Sequence, residues 1–159
     1  MLGRARRRIV ARRGRYELRL PDEERTLVRG LLSDLRALLT LDPGDPRVRR
    51  LYPEAYAEDA DKQAEYQRLT REELQSGRLA AVDVVEQTVE AQELTADQLA
   101  SWMHAVNALR LVLGTMLDVK EDDQPFAFPR DHPDAPTMAL YGYLGVLLEE
   151  IVEAQLTGI

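Results

Sequence analysis

The sequence predicts a mainly α-helical single domain: a helical bundle with an N-terminal β-strand or β-hairpin. Three observations predict it. Apolar residues recur at helical spacing in three long segments, 27–39, 99–117 and 138–152. Residues 15–20 alternate strictly instead. The chain has 159 residues, about one domain, enough to bury about 70% of its unfolded surface without a metal or a disulfide. We read 1–159 as one unit, with residues 1–20 as a basic arm and 21–159 as the helical body.

In the arm, Tyr16, Leu18 and Leu20 fall on one face of an extended segment, and Arg15, Glu17 and Arg19 on the other. Arg8–Ala11 is its natural partner strand, with Arg12-Arg13-Gly14 as the turn; Gly14 supplies positive φ. A two-stranded hairpin is marginal alone, so it must pack on the helices or pair in a dimer. A single strand or a loose arm is the alternative.

Pro21 and the acids Asp22, Glu23 and Glu24 suit the first turn of a helix. Its stripe, from Leu27 through Leu31, Leu35 and Leu39, carries it to about Thr40. The prolines and glycine of 41–46 make a loop. A short helix around Val48–Leu51 comes next. Ala60–Leu69 reads as a helix with Tyr66 and Leu69 inward, and Thr70-Arg-Glu-Glu73 as a capping box that opens another. Gly77 is a candidate break in that second piece. Thr95-Ala-Asp-Gln98 is another capping box, opening a helix over 96–118 that is apolar around most of its girth and therefore central. It is expected to pack on the first and last long helices. Residues 120–136, acidic and then proline-rich, form a surface loop. The last helix, about Thr137 to Leu156, points Met138, Tyr141, Leu144, Leu148, Ile151 and Val152 inward, with Gly142 and Gly145 permitting close helix approach.

Charge is the strongest functional clue. The first 19 residues hold eight of 19 arginines against Glu17 alone, a charge of +7; the whole chain is −7, leaving −14 for the body. A basic edge on an acidic body suits a polyanion or an acidic protein surface. Arg4, Arg6, Arg7, Arg8, Arg12, Arg13 and Arg15 are the candidate contacts, because arginine forks match phosphate and carboxylate geometry. The competing reading is a solubilising edge strand. Part of the excess follows from coding bias, since lysine occurs only twice.

The sequence holds no cysteine, which excludes thiolate zinc sites, thiol nucleophiles and thiol redox sensing in this chain. It contains no membrane-length apolar run and no secretory signal, so the expected location is cytoplasmic. No metal or cofactor is expected. The acidic loop with His132 reads as solvated, His104 as structural, and Glu149, Glu150 and Glu153 as a solvated helix face. Asn107, Arg110 and Thr115 interrupt the central helix and read as a structural polar network tying it to another element; a ligand-contacting role is the alternative.

Three blocks resemble a known family: RLYPEAYAEDADKQAEYQRLTREEL (Arg50–Leu74), WMHAVNALRLVLGTMLDVKEDD (Trp102–Asp123) and ALYGYLGVLLEEIV (Ala139–Val152). In order and spacing they are similar to actinobacterial proteins catalogued as DUF2017, one of which is described as an oxidative-stress transcriptional regulator. The resemblance implies a non-enzymatic, transcription-associated regulator whose partner is a protein, such as a sigma factor or another RNA polymerase component, or DNA. It also implies a cysteine-pair redox sensor, which this chain lacks. The alternative is a structural or adaptor protein that forms a homodimer and binds another protein without nucleic acid. An enzyme with a metal or cofactor pocket ranks third.

Overall fold

Arg13 and Gly14 both adopt positive φ, 46° and 83°. That is what a two-residue hairpin turn needs to match the twist of its strands. In the computed structural model, which describes residues 6–41, 45–51, 60–117 and 131–158, this turn joins β1 (Ile9–Arg12) to β2 (Arg15–Leu18). The register runs from Ile9↔Leu18 to Arg12↔Arg15, so the arm is a hairpin rather than a lone strand. A third strand, β3 (Glu93–Leu94), pairs antiparallel with β2 through Tyr16↔Leu94 and Glu17↔Glu93, giving the order β1-β2-β3. The sequence analysis did not anticipate β3, since two residues are too few to carry an alternation. Ile9, Tyr16, Leu18 and Leu94 turn into the core from this sheet.

Helix α1 (Asp22–Leu41) opens with its three acids, as the dipole favours. It buries Val28, Leu32, Leu35 and Leu39. The 3-10 turn Pro46–Leu51 follows, with Val48 and Leu51 in the core. Helix α2 (Ala60–Thr88) is continuous over 29 residues, which corrects the expected division at Thr70. A capping box needs a non-helical first residue, and Thr70 lies inside the helix. Gly77 does not break it either: it is exposed, with nothing within 4 Å of where a Cβ would sit. Leu69, expected inward, is 56% exposed. The side chain of Tyr66 lies outside the described residues.

Helix α3 (Ala96–Met116) starts at the expected capping box. Gln98 N donates to Thr95 Oγ1 at 3.1 Å, and Thr95 N donates to Gln98 Oε1 at 2.9 Å. Trp102 is fully buried, and its indole N–H donates to Thr88 Oγ1 at 2.8 Å. The helix packs most extensively on α4 (Ala135–Thr157) and α2, then on the 3-10 turn, and only lightly on α1. The expectation named α1, but α2 occupies that flank. Helix α1 is instead joined to α2 by ion pairs of Arg36 with Asp83 and with Glu86 (2.9 Å), and to the turn just past α2 by Arg29 with Glu90 (2.6 Å).

Helix α4 buries Leu144, Leu147, Ile151 and Ala154. Val152, expected inward, is exposed together with Val146 and Leu156. The expected acidic loop falls largely outside the described residues. Among the described residues no helix is long and apolar enough to cross a membrane, and no three His, Cys, Asp or Glu side chains group as metal ligands would.

Candidate interaction site: the arginine hairpin

The hairpin's arginines face three different environments. Arg8 lies at the start of β1, where the chain passes between α1 and α4. Its Nε donates to Glu24 at 2.5 Å, one Nη donates to Glu150 at 3.2 Å, and its backbone N–H donates to the same Glu150 at 3.0 Å. The guanidinium also lies 5.5 Å from the ring centroid of Tyr143. Arg7 pairs with Glu153 at 2.8 Å. These contacts latch the arm onto α4. Glu150 and Glu153 are therefore its receptors: Glu150, 13% exposed, departs from the expected solvated face, while the paired Glu153 side chain keeps 44% exposure and Glu149 stays exposed.

The electrostatics follow the geometry. The Arg8 guanidinium is held above its ordinary range, first by the hydrogen bond to Glu24, against the opposing effect of desolvation. Burial pushes the Tyr143 phenol well above its usual value, and the Glu24 carboxylate adds to this. The Tyr143 hydroxyl is buried with no formed hydrogen bond among the described residues.

A second group surrounds Glu17 on the outer face of the sheet. Arg19 bonds it at 3.0 Å and Arg12 stands 3.6 Å away. The Arg19 hydrogen bond holds the Glu17 carboxyl below its usual range, helped by the charges of Arg19, Arg12 and Arg6. The third group is exposed: Arg6 before β1, and Arg13 and Arg15 at the tip. Arg13 and Arg15 have no ion-pair partner among the described residues. Arg6 lines an open groove of about 590 Å³ with Arg8, Arg19, Glu17 and Glu24. Arg4 lies outside the described residues.

Asn107, Arg110 and Thr115 are not brought together, so the expected network does not form. Asn107 is exposed at the rim of a cleft of about 580 Å³ between α2, α3 and the 3-10 turn, near His104, also exposed. Thr115 Oγ1 donates to Leu111 of its own helix at 2.9 Å. Arg110 stacks on Tyr141 with its guanidinium carbon 4.5 Å from the ring centroid. Asn107 opens onto the cleft beside α2, Arg110 is taken up by Tyr141 of α4, and Thr115 spends its hydroxyl on its own helix.

One organising residue escaped the sequence analysis. Arg25 is buried, and its guanidinium donates to the carbonyls of Leu20 (2.8 Å), Ala91 (3.0 Å), Leu18 (3.2 Å) and Val89. It ties α1 to the end of β2 and to the carbonyls just past α2, positioning the hairpin. A signal existed, because Arg25 lies three and seven residues before Val28 and Leu32, in line with the N-terminal end of the buried stripe.

Proteins named oxidative stress regulator AosR from Mycobacterium bovis and from Mycobacterium tuberculosis are each 34% identical over 127 residues, covering 69% of this chain and 58% of the relative. A Mycobacterium leprae protein is 31% identical over 141 residues, covering 78% of this chain and 64% of that protein. The chain thus spans less than two thirds of the length of the curated relatives it matches. No solved structure matches it. The model of the family described as domain of unknown function (DUF2017) matches residues 5–155, taking in both the latched arm and the helices that hold it, and the chain belongs to that family.

Proposed function

We propose that this chain is a non-enzymatic, transcription-associated regulator that acts by contact through the tip and outer edge of its arginine hairpin. The relatives named oxidative stress regulators support the class. The observation that carries the mode of action is the sorting of the arginines. Arg7 and Arg8 are engaged by acids of the body and Arg12 and Arg19 by the arm's own Glu17, leaving Arg6, Arg13 and Arg15 as the outward charges. Three projecting arginines make a small footprint. It suits an acidic patch on a protein, such as a sigma factor or another RNA polymerase component, better than a long tract of duplex DNA, where many phosphates must be neutralised. Without cysteine the chain has no thiol switch of its own.

The test is a pull-down from lysate, with and without nuclease, using the intact chain and an Arg6→Gln/Arg13→Gln/Arg15→Gln variant. The reading expects a nuclease-resistant partner that the triple variant loses and that salt releases. A partner retained by the variant would remove the arm from the mechanism; one lost only with nuclease would make DNA the target.

The second reading, an adaptor that forms a homodimer, is favoured by one feature. Helix α4 exposes Val146, Val152 and Leu156 on a helix that also supplies core residues. Sedimentation of the intact chain against Val152→Glu tests it: a dimer that dissociates in the variant supports this reading, and a monomer throughout ends it.

A further inference from the structure

Several buried or partly buried arginines of this fold have oxygen partners: Arg8 has two carboxylates, Arg25 four carbonyls, and Arg36 two more carboxylates. Arg50 and Arg110 differ from these. Arg50, on the 3-10 turn, and Arg110, on α3, pair with no carboxylate among the described residues, and Arg110 Nε is buried without a hydrogen-bond partner. Arg110 lies on Tyr141 of α4, and Arg50 reaches the same Gly114 of α3 that Tyr141 covers. Arg110 stacks on the ring. Arg50 Nη1 and Tyr141 Cε2 crowd the same point above Gly114, 3.3 and 3.2 Å from where a Cβ would sit, and the ring carbon that carries the hydroxyl is 3.9 Å from it. Gly145 completes the cluster: a Cβ there would stand 3.4 Å from Arg110 Nε. Three elements thus bring two guanidinium forks to the neighbourhood of one phenol, with no carboxylate paired to either among the described residues. Charges in such positions are costly unless compensated.

We propose that Arg50, Arg110 and Tyr141 form a binding site for the phosphate group of a small phosphorylated ligand. Two guanidiniums call for about two negative charges, which a phosphate monoester carries near neutral pH and a single carboxylate does not. Its oxygens take forked bonds from both arginines and accept from the Tyr141 hydroxyl. The site is separate from the hairpin tip and does not rest on the regulator reading, so hairpin variants that abolish partner binding leave it intact.

The test uses thermal melts of the full chain titrated with inorganic phosphate, at an ionic strength held constant with chloride. Acetate and sulfate serve as parallel arms. Wild type and Arg13→Gln should show a saturable rise in Tm, about 5 °C or more at a hundredfold excess over Kd. Arg50→Gln and Arg110→Gln should lose it. Should a glutamine variant fail to fold, Arg110→Lys keeps the charge without the fork, and its apparent phosphate affinity should fall at least about tenfold. The site is refuted by no saturable rise in wild type, by an equal rise in the Arg50 and Arg110 variants, or by unchanged affinity in Arg110→Lys. A rise with acetate equal to that with phosphate overturns the dianion assignment. A rise with sulfate matching phosphate supports it, since the two share charge and shape.

Discussion

Replacing Arg8 with glutamine separates the latch from the contact surface. The Arg8, Glu24 and Glu150 side chains retain 24%, 20% and 13% exposure, so their pairs are neither surface pairs nor fully buried ones. Exposed pairs contribute up to about 1 kcal/mol, and breaking a fully buried one costs about 3–5 kcal/mol. Arg8→Gln leaves two half-buried carboxylates facing each other across the vacated fork, and it strips the charge from the face of Tyr143. The expected loss is about 2 kcal/mol, or about 4–8 °C in Tm for a domain of this size. Urea denaturation followed by circular dichroism measures it, with an unchanged m-value certifying the same unfolding transition. Arg13→Gln, at the exposed tip, should stay within about 0.5 kcal/mol of wild type. A double-mutant cycle of Arg8→Gln with Glu150→Gln should return a coupling of at least about 0.5 kcal/mol. If Arg8→Gln costs no more than Arg13→Gln, the latch contributes nothing and all the arm's arginines are equally available to a partner.

Three further outcomes are expected. Arg25→Met should cost about 3–5 kcal/mol by stranding buried carbonyls of β2 and of the α2–β3 connection, with Arg25→Lys recovering only part, because an ammonium cannot fork to four acceptors; chemical denaturation reads both. Thr88→Val should cost about 1–3 kcal/mol by leaving the buried Trp102 N–H unpaired, with a shift in tryptophan emission as the local readout. The Asp45 carboxyl, gripped first by the Arg47 side chain (2.7 and 2.9 Å) and then by its backbone N–H (2.8 Å), should titrate at about 2 by NMR and return toward the ordinary carboxylate range in Arg47→Gln. Because that value is depressed by folding, its stabilising effect is complete above the unfolded-state value and fades as pH falls through about 2.

The features legible in the sequence were those encoded locally. Gly14 and the alternation of residues 15–20 specify the hairpin, and Thr95 with Gln98 specifies the start of α3, because each is satisfied within a few residues. Thr70 and Glu73 carry the same signal, yet α2 runs through them; a capping pattern is an option that a continuing helix can override. The arm's arginines were visible as a charge, but their division into latch and tip was not. Arg7 and Arg8 find their acids 146 and 142 residues away, and no spacing rule reaches that far. Arg25 was readable in principle, as a charge set in a leucine stripe, but its carbonyl acceptors depend on β3, which had no signal of its own. Asn107 and Arg110 share a helix face and could have met, but Arg110 is claimed by Tyr141 of α4 and Thr115 by its own helix, partners that spacing along α3 does not reveal.

The Arg8–Glu150 latch also sets a schedule for synthesis. Arg8 is made 142 residues before the Glu150 that receives it. At roughly 5–20 residues per second, about 7–28 seconds of elongation separate the two. Until α4 emerges, Arg7 lacks Glu153 and Arg8 lacks Glu150, so the nascent arm carries more free charge beside the RNA-rich surface of the ribosome that is making it. The helix that completes the core is thus also the one that withdraws the arm from that surface.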